Sequence, residues 1–162
     1  MILANYQVFL DHFFNKLEEL GIDVANLELD HIAYQTQSDD DYDQIKPEFK
    51  KIGKEMSEAI VGGRRVGIFQ LNSPLQYKGR SIPAVELIAP KTGQVCVSAL
   101  EHGEFVIKED FESFVKKYPR LAWDTSKVHQ PVFPMITLKL DDGVQVKFHY
   151  QPVLDIVKKN GS

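Results

Sequence analysis

Two periodicities take turns along this chain. Residues 4–20 place Val8, Phe9, Phe13, Leu17 and Leu20 at helical spacing, and Gly21 closes the run. Leu27–Thr36 (LELDHIAYQT) switches to a period of two, with Ile32, Tyr34 and Thr36 on one face and His31, Ala33 and Gln35 on the other. Ser38, followed by Asp39, Asp40 and Asp41, predicts a capped helix to about Gly53, because a hydroxyl cap and first-turn acids suit a helix N-terminus. Tyr42, Ile45, Phe49 and Ile52 form its apolar stripe, and Pro47 inside it should kink or divide it. Glu55–Val61 and Arg64–Leu71 flank Gly62-Gly63, the signal of a hairpin with a primed turn. Asn72-Ser73-Pro74 and Lys78-Gly79 then mark a loop before the strand Ile82–Pro90 (IPAVELIAP).

The second half repeats this order. Leu100–Ile107 (LEHGEFVI) reads as a strand, and Glu109–Tyr118 as a helix with Phe111, Phe114, Val115 and Tyr118 on one face, stopped by Pro119. Residues 119–133 are irregular, with room for one short strand. Pro134–Leu140 and Val144–Tyr150 pair across Asp141-Asp142-Gly143, and Pro152 opens a C-terminal helix over 152–160. The expected fold is α+β: two tandem βαβββ modules, over 27–90 and 98–151, behind an extra N-terminal helix over 1–21. Together they make a single domain over 1–162.

Composition narrows the function. The 162 residues, 43% hydrophobic and 26% charged, are those of an ordinary globular chain. A formal net charge of −4 leaves no electrostatic footprint for nucleic acid or an anionic membrane. The single cysteine, Cys96, excludes an internal disulfide and a cysteine-based metal cluster, and reads as a small buried or half-buried residue. No apolar run approaches the ~20 residues that span a bilayer. The N-terminus lacks a basic segment, and Asp11 interrupts any signal-like core, so a cytoplasmic location is expected.

Four strands each set one polar group in apolar surroundings: His31, Glu86, His102 and His149. Imidazole nitrogen and carboxylate oxygen are ligands for Zn²⁺, Fe²⁺, Mn²⁺ and Ni²⁺. Glu86, between Val85 and Leu87, needs a metal, a histidine or an arginine such as Arg64 if its face is buried, and none if that face meets solvent. His31 bonded to Asp30 or to a backbone carbonyl, and His102 at a strand end beside Gly103, are the structural alternatives, and Lys147 shares the strand face of His149. Arg64 and Arg65, just after the glycine turn, suit bidentate recognition of a carboxylate or a solvated hairpin tip. His12 and His129 read as surface residues. Asp39–Asp41 lack the glycine and distal glutamate of a calcium loop.

The blocks LDHIA (29–33), IVGGRRVGIFQL (60–71), AVELIAP (84–90), LEHGEFV (100–106) and KFHYQPVLDIV (147–157) resemble the YecM family, itself similar to the vicinal oxygen chelate (glyoxalase/dioxygenase) superfamily. The resemblance, spanning about Ile22 to Val157, implies paired modules around a cupped mixed sheet with a divalent metal in the cup. It implies His31, Glu86 and His102 as ligands; at the fourth position, where a glutamate is usual, this chain offers Lys147 or His149. A small oxygenated substrate chelating the metal is implied, with Arg64 on its carboxylate and isomerase, lyase or dioxygenase chemistry all open. The alternative is a non-catalytic protein that binds metal or a small molecule in the same cup. A chain with both modules can close its own cup, which favours a monomer over a homodimer.

Overall fold

The computed structural model describes residues 1–160; Gly161 and Ser162, the end of the expected domain, lie outside the described residues. Helix α1 (Tyr6–Glu19) precedes β1 (Glu28–Gln35), α2 (Asp39–Ile52), β2 (Gly53–Val61), β3 (Arg64–Tyr77) and β4 (Arg80–Ile88). The second half runs β5 (Ala99–Val106), α3 (Phe111–Lys116), β6 (Ile136–Asp141), β7 (Val144–His149) and α4 (Val153–Asn160). The seven strands form one mixed sheet in the order β2-β3-β4-β1-β5-β7-β6. β1 lies parallel to β4 and β5 parallel to β7, while β1 and β5 join the halves as an antiparallel pair.

The second module is thinner than the tandem βαβββ pattern. In place of its second strand, Asp124 makes an isolated antiparallel bridge to Thr137 on β6. Residues 119–133 contain two prolines and Trp123, and proline cannot donate to a ladder.

Alternation along the strands separates two apolar faces. One face packs under α1, α2 and α3 through Leu10, Phe13, Leu17, Ile32, Phe49, Phe69, Phe105, Phe114 and Phe148. The opposite, concave face holds a smaller cluster in which Ala33, Val66, Ile68, Ala84 and Ile88 meet Val153, Leu154 and Val157 of α4. The C-terminal helix thus packs on the first-module half of the cup.

Three local expectations change. The buried stripe of α1 is Leu10, Phe13 and Leu17, whereas Val8 is 70% exposed, because the helix docks on Gly103 and Phe105 through the face that bears Phe13. Helix α2 runs from Asp39 to Ile52 with Pro47 inside it. Burial of Tyr42 and Phe49 and the Ser38 cap outweigh the one hydrogen bond that proline removes. Asn72-Ser73-Pro74 is no loop: β3 continues to Tyr77 with a register irregularity between Gln70 and Leu75, and the turn falls at Lys78-Gly79. Gly62 and Gly63 both adopt positive φ, as a primed hairpin turn requires. No helix of the described residues is long and apolar enough to cross a membrane.

Candidate metal centre

The centre grows from the β1–β5 pair. Ile32 stands opposite Gly103, His31 opposite Glu104 and Ala33 opposite His102, a register that a two-fold axis through the Ile32–Gly103 pair reproduces. The axis exchanges His31 with His102 and Ala33 with Glu104. The outer strands keep the relation: β4 sets Glu86 beside Ala33 and Ile88 beside Gln35, while β7 sets Lys147 beside Glu104 and His149 beside Val106. Glu86 therefore corresponds to Lys147, and Ile88 to His149.

The same symmetry holds for two irregularities. The ladder slips between Leu29 and His31 and again between Ala33 and Tyr34, leaving Asp30 on β1 and Glu101 on β5 as extra residues directly before the histidines. A bulge re-aims the side chain it carries. Here each turns a carboxylate onto the next ring: Asp30 Oδ2 lies 2.8 Å from His31 Nδ1, and Glu101 Oε1 lies 2.9 Å from His102 Nδ1. A carboxylate only accepts, so each Nδ1 donates and each Nε2 is turned into the cup.

Those two Nε2 atoms are buried and have no hydrogen-bond partner. Between them stands Glu86, with Oε2 3.5 Å from His31 Nε2 and Oε1 3.5 Å from His102 Nε2. Glu104 Oε1 lies 3.7 Å from His31 Nε2, and one donor atom each of His31, His102 and Glu104 falls within 4.8 Å of the others. Donor atoms around a divalent ion with bonds of about 2.1 Å stand roughly 3–3.5 Å apart. The spacing, the donor set and the two unpartnered nitrogens therefore fit such an ion.

Charge in the metal-free chain is strongly biased. Burial pushes the carboxyl of Glu86 up, but His31 and His102 outweigh it and hold it well below the usual carboxylate range. Burial pushes His31 down, and Asp30 and Glu86 outweigh that, raising it well above an ordinary histidine. Asp30 and Glu101, each opposed by burial but facing its histidine, are held down to about 2.

His149 sits one pleat away. Its Nε2 lies 2.6 Å from Asp30 Oδ1 and its Nδ1 2.6 Å from Glu104 Oε2, the second contact lacking hydrogen-bond alignment. Burial lowers its pKa, yet Glu104 and Asp30 carry it up to about 9. Asp30 Oδ2 also accepts the backbone N–H of Val153, so one carboxylate ties together His31, His149 and the first turn of α4.

The structure thus brings His31, Glu86 and His102 to one point, with His149 behind them against Asp30 and Glu104. Arg64 lies on the rim, where its guanidinium donates to Gln35 Oε1 at 3.2 Å and lines a cleft with Glu86, Glu104 and Lys147. Glu104, Asp30 in its double role and Glu101 escape a reading by single strand faces. A signal was present: Leu29-Asp30-His31 and Leu100-Glu101-His102 repeat a leucine–acid–histidine triplet, and Glu104 follows His102 at the strand period. His12 is exposed and contacts Asp141 at 3.1 Å, His129 is exposed and Cys96 half-buried.

A seven-stranded mixed sheet built of two paired modules is the fold of the vicinal oxygen chelate architecture. A methylmalonyl-CoA epimerase solved with methylmalonyl-CoA and NH4+ superposes with a TM-score of 0.50 at 12% identity, over 75% of this chain and 92% of its own. A solved hypothetical protein from Bacillus halodurans gives 0.51 at 14%, over 78% and 95%. Within that architecture the chain belongs to the YecM family, whose model, described as YecM protein, matches residues 1–149. It is 26% identical to the Escherichia coli protein YecM over 94% of this chain and 91% of that protein. It is 25% identical to a Haemophilus influenzae protein over 79% and 71%. A solved structural-genomics protein, EC4020, superposes with a TM-score of 0.76 at 24% identity, over 98% and 90% of the two chains.

Proposed function

We propose that this protein is a divalent-metal enzyme of the vicinal oxygen chelate type, acting on a small oxygenated molecule by isomerase, lyase or dioxygenase chemistry. His31, Glu86 and His102 would hold the ion, which could be zinc, iron, manganese or nickel. The observation that carries the reading is the pair of buried, unpartnered Nε2 atoms of His31 and His102, facing each other across Glu86. When bound, the ion supplies Lewis acidity to a chelating carbonyl or enediolate oxygen, or a site for O₂ if it is iron.

The chain's own groups prepare that site. Asp30 and Glu101 fix the ring orientations through Nδ1, which is how outer carboxylates raise the ligand strength of imidazole. His149, engaged by two carboxylates, supports Glu104 and Asp30 rather than ligating. Glu104, held below the usual range by His149 and His31 against its burial, stays ionised; that suits a ligand or an orienting anion better than a proton acceptor. Arg64, on the rim, would take an acidic group of the substrate, a carboxylate being the simplest. One chain carries both halves of the site, so a monomer suffices.

Elemental analysis of the purified protein and of a His31→Ala, His102→Ala double variant tests the reading. Near-stoichiometric metal that disappears in the variant is expected. No retained metal after reconstitution with iron, zinc, manganese or nickel overturns it.

A second reading, a binding protein without turnover, draws on Lys147, which puts an amine where the two-fold relation to Glu86 calls for a carboxylate. Solvent-deuterium exchange and oxygen uptake on chelating hydroxy acids, keto acids and catechols separate the two. Turnover supports the enzyme, and stoichiometric binding without it supports the binding protein.

A further inference from the structure

The cleft beside the metal centre concentrates positive charge in a chain of net negative charge. Arg64 from the start of β3, Lys91 from the β4–β5 connection, Lys127 from the loop before β6 and Lys147 of β7 all line it. They converge on a narrow cleft that also reaches Glu86 and Glu104. The same four line the wider groove outside. Lys147 is only 7% exposed, yet it has neither an ion-pair nor a hydrogen-bond partner among the described residues, and it is aimed into the cleft. Arg64 contacts only a neutral amide oxygen, that of Gln35. Two acids share the outer groove and face these cations without contacting them: Glu101, hydrogen-bonded to His102, feels Lys147 and Arg64, and Asp124, hydrogen-bonded to Ser126, feels Lys127 and Lys91. The cations are close enough to repel: after its own burial, Lys147, Lys91 and Arg64 lower the pKa of Lys127, and Asp124 only partly opposes them.

Four cations from four separate segments, none in ion-pair contact with a carboxylate among the described residues, border one cleft and repel one another in the empty protein. A single carboxylate does not account for them, since one arginine satisfies it in bidentate fashion. A phosphoryl group carries about −1.5 to −2 charge at neutral pH and three acceptor oxygens, which matches a multivalent cationic cradle. We propose that the substrate is a small polyanion that chelates the metal at one end and places a phosphoryl group among Arg64, Lys91, Lys127 and Lys147 at the other. The inference rests on the metal-centre reading for the orientation of the substrate, but the phosphoryl site itself does not need the metal.

The test is a titration of inorganic phosphate, with acetate and malonate as controls, into chelator-treated full-length protein, followed by calorimetry and melting temperature. Phosphate should bind more tightly than either carboxylate and raise the melting temperature. Lys127→Gln and Lys147→Gln should each weaken that binding about tenfold, the effect of one lost charged hydrogen bond. Relief of repulsion should also leave phosphate-free Lys127→Gln at least as stable as the parent, which separates a lost site from a lost fold. Equal affinity for acetate, phosphate binding that appears only after metal is restored, or unchanged binding in both variants overturns the proposal. Phosphate binding that survives in His31→Ala, His102→Ala protein found to hold no metal would leave the phosphoryl site standing while the metal reading fails.

Discussion

Ala33 and Glu104 occupy equivalent positions in the two halves. Each lies two residues after its module's histidine, and each pairs across β1–β5 with the histidine of the other module, Ala33 with His102 and Glu104 with His31. One side of the centre therefore has a methyl group, packed into the apolar cluster under α4, where the other has a carboxylate.

Removing Glu104 should cost stability before it costs metal. Glu104→Ala leaves the buried His149 with one carboxylate instead of two, and breaking such a pair typically costs about 3–5 kcal/mol. Urea unfolding of the metal-free variant should show a loss of that order, with Glu104→Gln losing less. A midpoint equal to the parent's would show that His149 does not depend on Glu104.

Asp30→Asn and Glu101→Gln remove the acceptors that orient the two rings. Each should lower metal affinity about 10–100-fold, read by competition with a chelator of known strength. Asp30→Asn should also destabilise the fold more, because Asp30 alone holds His149 and the Val153 N–H as well. Equal metal affinity in all three proteins would remove the orienting role.

The His149 contacts also set a pH dependence in metal-free protein. Its folded pKa, about 9, lies above the unfolded value near 6.5, so its stabilisation is full below about pH 6.5 and is lost as pH rises through about 9. The amount is on the order of 3 kcal/mol. The stability gap between the parent and His149→Gln, measured by chemical denaturation, should narrow steadily from pH 6 to pH 10. A constant gap would contradict the linkage.

Gly103→Ala tests the docking of α1. A Cβ at that position would meet Phe13 Cζ at 2.8 Å and Leu29 Cδ1 at 3.1 Å. Overpacking a core in this way costs about 1–3 kcal/mol, and a drop in melting temperature with retained metal content is the expected result. Unchanged melting would mean that the helix can lift off the sheet freely.

The element order of this protein was legible in its sequence because it depends on local terms: the period of apolar residues, the Ser38 cap and the Gly62-Gly63 turn. His31, Glu86 and His102 could be named for the same reason, since a polar group in an apolar strand stands out one strand at a time. What lay beyond the sequence is set by register. Only strand pairing decides that Asp30 and Glu101 become bulged residues aimed at their histidines, and that His149 reaches Asp30 and Glu104 from behind. Only tertiary packing keeps α2 whole through Pro47, where buried aromatics outweigh a local breaker. The four cations of the cleft come from segments far apart in the chain, and their meeting follows from how β3, β7 and two loops border the same cleft. Local sequence specifies which side chains are available; the long-range register of the sheet decides which of them face one another.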